Sequence, residues 1–245
     1  MSNLPVTQYG KKPRIYIDAP LTPDSTIPLS QAQAHYFKNV LRRAEGSEIR
    51  IFNGQDGEWL ATLTDIKKKS ANARLIKQIR EQPQNTPKTH LFFAPIKKAR
   101  LDLLIEKAVE LGATDIHAVT TDFTQNHHIK DERITAQIIE AAEQCECMSL
   151  PTWHGLNPLA QAINNFNGNI HWACERGDHT PLSGITPNGD TAFLIGPEGG
   201  FSDKEIQTLS QKQNLTPISL GSRILRAETA AFICLSHIAL KNMPN

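Results

Sequence analysis

A short glycine-rich stretch, LIGPEGGFSDKEI at residues 194–206, has the residue types of a ligand-binding loop. The apolar run that ends at Ile195 has the length of a buried strand. Gly196, Gly199 and Gly200 follow this run, and they allow the backbone to turn sharply or to be approached closely by a ligand. Open α/β sheets bind ligands at such strand–loop–helix junctions, so the stretch predicts a binding site. A tight connection without a ligand is the alternative.

The residues around the glycines indicate where a helix begins and what the loop does not bind. Ser202 followed by Glu205 forms a capping-box pattern, which predicts the start of a helix. The stretch has neither the Gly-x-Gly-x-x-Gly fingerprint of dinucleotide sites nor a Gly-Lys-Ser/Thr ending. We therefore expect a ligand that is not held by a phosphate cradle.

A second junction of the same kind follows at residues 218–232, with the sequence ISLGSRILRAETAAF. Two such loops close together would form one pocket. Arg223 and Arg226 are the only fixed positive charges in this stretch. Glu228 stands at the start of the last predicted helix, where a carboxylate suits the helix dipole. Arg226 is either a functional cation or a salt-bridge partner.

The cysteines favour reduced thiols over disulfides or a metal site. Cys145, Cys147, Cys174 and Cys234 occur without a secretory context and without a Cys-x-x-Cys pair. Cys145 and Cys147, with His154 nearby, have an unsuitable spacing for a tetrahedral zinc site, and we predict no metal. The chain has no apolar stretch of membrane-spanning length and a polar amino-terminal segment, so we expect a cytoplasmic protein.

Charge is distributed unevenly along the chain. Residues 1–86 contain 13 Lys and Arg against 8 Asp and Glu, a balance of +5, whereas residues 87–245 contain 13 against 17, a balance of −4. Phosphate neutralisation by basic side chains supplies most sequence-independent affinity for nucleic acids. The asymmetry therefore indicates an anionic partner for the first third of the chain, with a solvated basic surface as the alternative.

Residues 1–86 have the pattern of a small β-rich, barrel-like domain. Short runs between residues 14 and 79 predict strands, with Asn53-Gly54 and Asp56-Gly57 as turn signals. Ser30 can cap one interrupting helix. Four apolar residues are predicted to form the buried face of that helix: Ala34, Phe37, Val40 and Leu41. The stretch EQPQNTPK at residues 81–88 is typical of a linker that leaves this domain.

From residue 87 the pattern changes to strands that alternate with helices. LFFAPI at residues 91–96 is a short apolar strand, and a helix with regularly spaced apolar residues follows and ends at Gly112. The alternation continues to a final helix that begins at about Ala227. It predicts an α/β domain over residues 87–245 with a mainly parallel sheet covered on both faces.

Several motifs together closely resemble the RsmE family of ribosomal RNA methyltransferases, which are SPOUT enzymes. They are RIYIDAPL at 14–21, HYFKNVLRR at 35–43, IEKAVELGA at 105–113, EAAEQC at 140–145 and the two glycine motifs. The resemblance covers nearly the whole chain. It implies an N-terminal PUA-like RNA-binding domain and a trefoil-knotted α/β domain that binds S-adenosylmethionine and forms a homodimer.

The same resemblance implies a reaction, methylation of N3 of a uridine in the 16S rRNA of the small ribosomal subunit. A ribosome-assembly protein that binds RNA without turnover is one alternative, and a SPOUT enzyme with another RNA target is a second.

The resemblance also assigns residues to binding. The two knot loops would hold the cofactor through Leu194, Ile195, Gly196, Pro197, Gly199, Gly200, Leu220, Gly221, Ile224 and Leu225. S-adenosylmethionine carries a sulfonium cation and no phosphate, which explains the missing phosphate motif. The expected RNA-binding residues are Arg14, His35, Arg42, Arg43, Lys97, Lys98 and Arg100.

The implied reaction requires removal of a proton from N3 of neutral uracil, and the resulting imide anion needs stabilisation. We expect the guanidinium of Arg226 to stabilise this charge. Glu198 or Glu228 is the candidate proton acceptor, and a purely loop-ordering role for Glu198 is the alternative.

Several positions depart from the family pattern. Phe123 stands where an arginine is common, and Cys147 occupies the position of another arginine. Asn126, His127 and His128 stand where further basic residues are frequent. These differences predict weaker RNA positioning or the loss of an ion pair, whereas both cofactor loops match the family.

Overall fold

The computed structural model of the protein describes residues 9–84, 87–175 and 177–242. The chain divides into two compact units, residues 1–85 and residues 86–245. Residues 85 and 86 of the predicted linker lie outside the described residues.

The first unit is built on a five-stranded sheet, which confirms the predicted β-rich fold. Its strands are β1 (Arg14–Tyr16), β2 (Thr26–Pro28), β3 (Glu48–Phe52), β4 (Glu58–Thr64) and β5 (Asn72–Arg80). Their order in the sheet is β1-β3-β4-β5-β2, with β1 parallel to β3 and the other pairs antiparallel. The predicted turn after β3 is present, because the Asn53 Oδ1 atom accepts hydrogen bonds from the amides of Gln55 and Asp56.

Ser30 caps the helix of the first unit, as its residue type and position predict. Helix α1 (Gln31–His35) begins with a capping box in which the Ser30 hydroxyl accepts a hydrogen bond from the Gln33 amide. The Gln33 side chain in turn accepts one from the Ser30 amide at 3.0 Å. Together these bonds satisfy two amides that the first turn of a helix leaves without a partner.

The helix then widens into a π-helical turn, Tyr36–Val40, closed by a hydrogen bond from the Leu41 amide to the Tyr36 carbonyl. A π-turn holds more residues than an α-turn, so the apolar positions no longer share one face. Phe37 is fully buried, whereas the side chain of Val40 is 59% exposed. The prediction that Val40 lies on the buried face is therefore wrong.

A carboxylate lies at the centre of a cluster of arginines in the first unit. Glu58 is fully buried and pairs with Arg14 at 3.3 Å, with Arg50 at 3.2 Å and with Arg80 at 2.9 Å. The Arg14 guanidinium also lies 3.5 Å from the centroid of the Phe52 ring. Arg14 is thus buried by its ion pair and its ring contact, and its contact with RNA stays a prediction.

The second unit contains a seven-stranded sheet in which every pairing is parallel, as the alternating pattern predicts. Its strands are β6 (Thr89–Phe93), β7 (Asp115–Thr120), β8 (Thr152–Pro158), β9 (Asn169–Cys174), β10 (Thr180–Pro181), β11 (Thr191–Ile195) and β12 (Leu215–Ser219). Its helices are α2 (Lys98–Glu110), α3 (Asp131–Cys145), α4 (Leu159–Asn164), α5 (Asp203–Ser210) and α6 (Ala227–Lys241). The strand order is β10-β12-β9-β11-β6-β7-β8.

The apolar strands at the centre of this sheet are the ones that the sequence predicts most directly. All five residues of β6 and all five of β11 are buried, because helices cover the faces of a parallel sheet. β8 is an edge strand with a glycine, a proline and no fully buried residue, so its sequence does not show the apolar run of a strand.

Within the described ranges, no helix combines the length and the apolar character needed to cross a membrane. Cys145, Cys147, Cys174 and Cys234 carry thiols rather than disulfides.

Candidate functional site

The two glycine loops leave the sheet of the second unit at the same edge. β11 and β12 are both parallel to β9, which lies between them, so the loops at 196–202 and 220–226 start at neighbouring carboxyl ends. Two strand spacings amount to about 10 Å, a distance that one small ligand can bridge. Both loops can therefore contribute to one site at the edge where α/β sheets bind ligands.

The first loop is held in place by a network of hydrogen bonds. Gly200, which has a φ of +71°, donates to the carbonyl of Pro197 at 2.9 Å. The predicted capping box is present, because Ser202 Oγ accepts from the Glu205 amide and Glu205 Oε2 accepts from the Ser202 amide. The second oxygen of Glu205 accepts from the amide of Asp122 at 2.9 Å. The start of α5 is thereby tied to the segment that follows β7.

The second loop forms fewer hydrogen bonds than the first. The Gly221 amide donates to Ser219 Oγ at 3.3 Å, and Gly221 has a φ of +112°. Within the described ranges, the amides of residues 222–225 donate to no protein acceptor. Ile224 is 70% exposed. The loop thus offers backbone donors and an apolar side chain to a ligand.

Arg100 connects the two candidate carboxylates. It lies in the first turn of α2, and its guanidinium is 3.5 Å from Glu198 and 3.6 Å from Glu228. Glu228 is buried in the first turn of α6, and its second oxygen has no hydrogen-bond partner among the described residues. Arg100 therefore brings the first glycine loop and the start of the last helix together, a role that differs from the predicted contact with RNA.

Arg226 is placed differently from Arg100. It is the N-cap residue of α6, and its side chain is exposed. In the described part of the chain its guanidinium forms no ion pair, in contrast to that of Arg100. This arrangement disfavours the salt-bridge interpretation of Arg226 and leaves its charge available to an anionic ligand.

The predicted cofactor-binding residues fall into two groups. The side chains of Leu194 and Ile195 lie in the core, at 0% and 2% exposure, so only the backbone of these two residues can face a ligand. The other predicted residues lie in the loops: Gly196, Pro197, Gly199, Gly200, Leu220, Gly221, Ile224 and Leu225.

Phe123 lies against the first glycine loop, whereas Cys147 lies just after α3. A Cβ added to Gly199 would lie 3.3 Å from the Cβ of Phe123, so Phe123 packs directly against the first loop while 48% of its side chain stays exposed. Cys147 follows α3 and donates its thiol hydrogen to the carbonyl of Ser149.

The predicted RNA-binding residues other than Arg14 and Arg100 are exposed. They are His35, Arg42 and Arg43 in the first unit and Lys97 and Lys98 in the second. Arg42 has a φ of +52° and directly follows Leu41, where the π-turn ends. Exposure is what a contact to phosphate requires.

Sequence reasoning missed the bridging position of Arg100. The signal is topological: α2 follows β6, and β6 is the direct neighbour of β11. Periodicity predicts both strands without their order, so it could not place the first turn of α2 beside the loop after β11.

Family models match both units of the chain. A model described as an RNA methyltransferase domain matches residues 82–239, and a model described as an RNA methyltransferase PUA domain matches residues 29–76.

Curated proteins and solved structures agree with these matches. The chain is 36% identical to the ribosomal RNA small subunit methyltransferase E of Rickettsia conorii, over 93% of this chain and 95% of that protein. A methyltransferase of Legionella pneumophila, solved with its bound cofactor SAM, has 31% identity and a TM-score of 0.82, covering 92% of this chain and 96% of that one. The ribosomal RNA small subunit methyltransferase E of Neisseria gonorrhoeae, bound to S-adenosyl methionine, has 25% identity and a TM-score of 0.80, with coverage of 94% and 97%.

Proposed function

The chain belongs to the RsmE family of ribosomal RNA small-subunit methyltransferases, and we propose that it transfers a methyl group from S-adenosylmethionine to N3 of one uridine in 16S rRNA. The observation that supports this function most directly is the pair of glycine loops at one sheet edge, with an exposed Arg226 beside them. A parallel sheet with ligand loops at its carboxyl ends is where this class of enzyme would hold a cofactor.

The loops fit the chemistry of S-adenosylmethionine. Its adenine and amino-acid groups need backbone donors and acceptors, and residues 222–225 supply amides without a protein partner in the described part of the chain. Space around Gly200 and Gly221 is open, since an added Cβ would meet no atom within 4 Å at either position. When bound, the cofactor supplies a methyl group on a positively charged sulfur. We therefore propose that the residues expected from the sequence of the two loops bind the cofactor.

The protein must align the acceptor base and assist the removal of its N3 proton. The proton on N3 must leave before or as the nitrogen lone pair attacks the methyl carbon, and the carbon–sulfur bonding electrons return to the sulfur. The imide anion formed on the base spreads its charge over the two carbonyl oxygens. Arg226 can donate to those oxygens because its guanidinium has no competing carboxylate within the described ranges.

Glu198 and Glu228 differ as proton acceptors. Glu228 is buried at the start of α6, and its carboxylate lies 3.6 Å from the guanidinium of Arg100. Glu198 lies 3.5 Å from the same guanidinium, but its side chain is about half exposed on the first loop. We infer that Glu198 accepts the proton and that Glu228 fixes Arg100, since an exposed carboxylate can move to the base and exchange its proton with water.

We assign RNA binding to the predicted domain of residues 1–86 and catalysis to the predicted domain of residues 87–245. The match to a PUA domain and the charge balance of +5 support the first assignment. His35, Arg42 and Arg43 are its proposed contacts, with Lys97 and Lys98 as contacts of the second unit. Arg100 pairs with two carboxylates, and its contact with RNA, like that of Arg14, stays a prediction.

A trefoil knot, a homodimer and a cytoplasmic location complete the proposal, all by family membership. Ile233 and Leu240, seven residues apart on α6, are exposed apolar side chains that a second copy of the chain could cover. Light scattering during gel filtration measures the mass in solution, and a mass of one chain would contradict the dimer.

The function is tested by methyl incorporation from labelled S-adenosylmethionine into small subunits that lack the modification, followed by mapping of the methylated nucleotide. One methyl group on N3 of a single uridine is the expected result. Methylation of another nucleotide would assign a different RNA target. No incorporation despite measurable cofactor binding would favour a ribosome-assembly protein without turnover and would give Phe123 and Cys147 a functional meaning.

Replacement of Gly200 by valine is expected to weaken S-adenosylmethionine binding at least about tenfold, or roughly 1.4 kcal/mol, because the new side chain would fill the open space beside the loop. Gly189 is a matched control, since it has a φ of +70° against +71° for Gly200 and is equally open. Both valines carry the strain of a left-handed backbone. Titration calorimetry should show weakened binding in Gly200→Val alone, and equal losses in both variants would contradict the proposed cofactor site.

A further inference from the structure

A cluster of histidines and one aspartate lies at the opposite edge of the sheet from the glycine loops. His90 is the second residue of β6, and Asp115 is the first residue of the neighbouring strand β7. His117 follows on β7, and His154 lies on the edge strand β8. Neighbouring amino ends of three parallel strands thus present four polar side chains to one another, and the proposed methyl transfer uses none of them.

The distances within the cluster are those of metal ligands. One ligand atom each from His90, Asp115 and His117 lies within 4.8 Å of the other two. His90 Nδ1 and His117 Nε2 are 3.2 Å apart, and His90 Nδ1 is 3.9 Å from Asp115 Oδ2. Tetrahedral zinc with bonds of about 2.0–2.1 Å separates its ligand atoms by roughly 3.3 Å, so small side-chain movements would complete the site.

The ligand types also suit a cation. His90 and Asp115 are buried and His117 is partly buried, so their nitrogen and oxygen atoms lie largely away from bulk water. Two imidazoles and one carboxylate are a ligand set that zinc accepts.

His154 has the position of an outer partner. Its Nε2 atom is 2.7 Å from Asp115 Oδ1, on the side of the carboxylate away from His90. Its ring is stacked on that of His117, with centroids 3.9 Å apart and planes at 6°. Partners of this kind orient metal-binding side chains and tune their affinity.

A cleft borders the cluster at His90. It has a volume of about 440 Å³, and His90, Lys88 and Asp190 are among its lining residues. The Lys88 ammonium lies 3.9 Å from Asp115 Oδ2 and would compete with a metal for that oxygen. Its side chain is more than half exposed, however, so it can turn into solvent when a cation binds.

We propose that His90, His117 and Asp115 bind one divalent transition-metal ion of the zinc class, with His154 orienting the carboxylate of Asp115. Water would fill the remaining position. The ion would join the amino ends of β6 and β7 and would stabilise the second unit. The alternative is a metal-free hydrogen bond between two neutral histidines. The proposal is independent of the methyl-transfer function.

After zinc chloride is added to the purified protein and the excess is removed by dialysis, one zinc ion per chain is expected to stay bound. Elemental analysis measures this ratio. Zinc is also expected to raise the thermal melting temperature. His117→Gln should remove the ion, because glutamine fills similar space without an imidazole nitrogen. His128→Gln, which changes an exposed histidine, should retain it. The melting temperature of His117→Gln without zinc shows whether that variant still folds.

A second set of variants separates this site from other zinc ligands. His154→Gln should weaken zinc binding about 10- to 100-fold without abolishing it, as expected for an outer partner. The double variant Cys145→Ser and Cys147→Ser should bind as the unchanged protein does. Three results would overturn the proposal. They are no zinc binding by the unchanged protein, zinc binding that neither His117→Gln nor His154→Gln changes, and loss of zinc binding in the double cysteine variant.

Discussion

The variant Arg226→Ala is expected to lower kcat for methyl transfer about 10²- to 10³-fold, the loss that follows removal of one donor from a developing anion. Arg226 is exposed at the start of α6, and the described residues offer its guanidinium no carboxylate. Its charge is therefore not neutralised before the imide anion forms. The dissociation constant for S-adenosylmethionine should change by less than about twofold, because Arg226 is proposed to act on the acceptor base and the net charge of the cofactor is positive.

Single-turnover methylation of small subunits, together with calorimetric titration of the cofactor, checks this expectation. Arg223→Ala is the matched control, since Arg223 is an exposed arginine of the same loop. Its effect on kcat should stay below about tenfold, and Arg226→Lys should recover only part of the rate because an ammonium cannot donate in a planar fork. Equal losses for Arg223→Ala and Arg226→Ala would mean that the loop acts through its total charge, and the assigned role would be wrong.

The variant Glu58→Ala is expected to lower the free energy of unfolding of the first unit by about 3–5 kcal/mol, the cost of leaving a buried charge without its partner. Glu58 is completely buried and accepts from Arg14, Arg50 and Arg80. Arg14 is almost entirely buried as well, so its guanidinium could not be hydrated without opening the fold. A loss of this size is a large part of the 5–15 kcal/mol that usually stabilises a domain.

Hydrogen exchange of amides in β3, β4 and β5 measures the stability of this unit separately from the second one. The control is Glu48→Ala, which removes a carboxylate from β3 whose side chain is 43% exposed and which pairs with Lys12 at 2.6 Å. An exposed ion pair of this kind contributes about 0–1 kcal/mol. Similar effects of the two variants would show that the buried cluster is not the main source of stability in this unit.

Local signals in the sequence were sufficient for the junctions at the site. Ser202 and Glu205 predict the start of α5 because a capping box is complete within four residues. The apolar run before Gly196 predicts β11 because a central parallel strand is buried on both faces. Each of these features depends on neighbours in the chain, so no knowledge of the tertiary structure is needed.

Features that depend on distant partners could not be predicted in this way. Arg14 precedes its partner Glu58 by 44 residues, and a basic side chain in a strand gives no sign of burial. Arg100 and the histidine cluster likewise depend on which strands are neighbours, and periodicity leaves that order open. The prediction for Val40 is wrong for a different reason. A π-turn has no clear sequence pattern, so its apolar residues are expected at the spacing of an α-helix.

The two glycine loops differ in how much order they have before a ligand arrives, and this difference affects the thermodynamics of cofactor capture. The first loop is fixed by the capping box and by Asp122, so binding costs it little conformational entropy. The amides of residues 222–225 in the second loop have no protein acceptor in the described part of the chain, and they would be immobilised when the cofactor accepts their hydrogen bonds. The entropic cost of binding would therefore fall on the loop that contains Arg226, and the guanidinium proposed to stabilise the imide anion would become ordered as the methyl donor is bound.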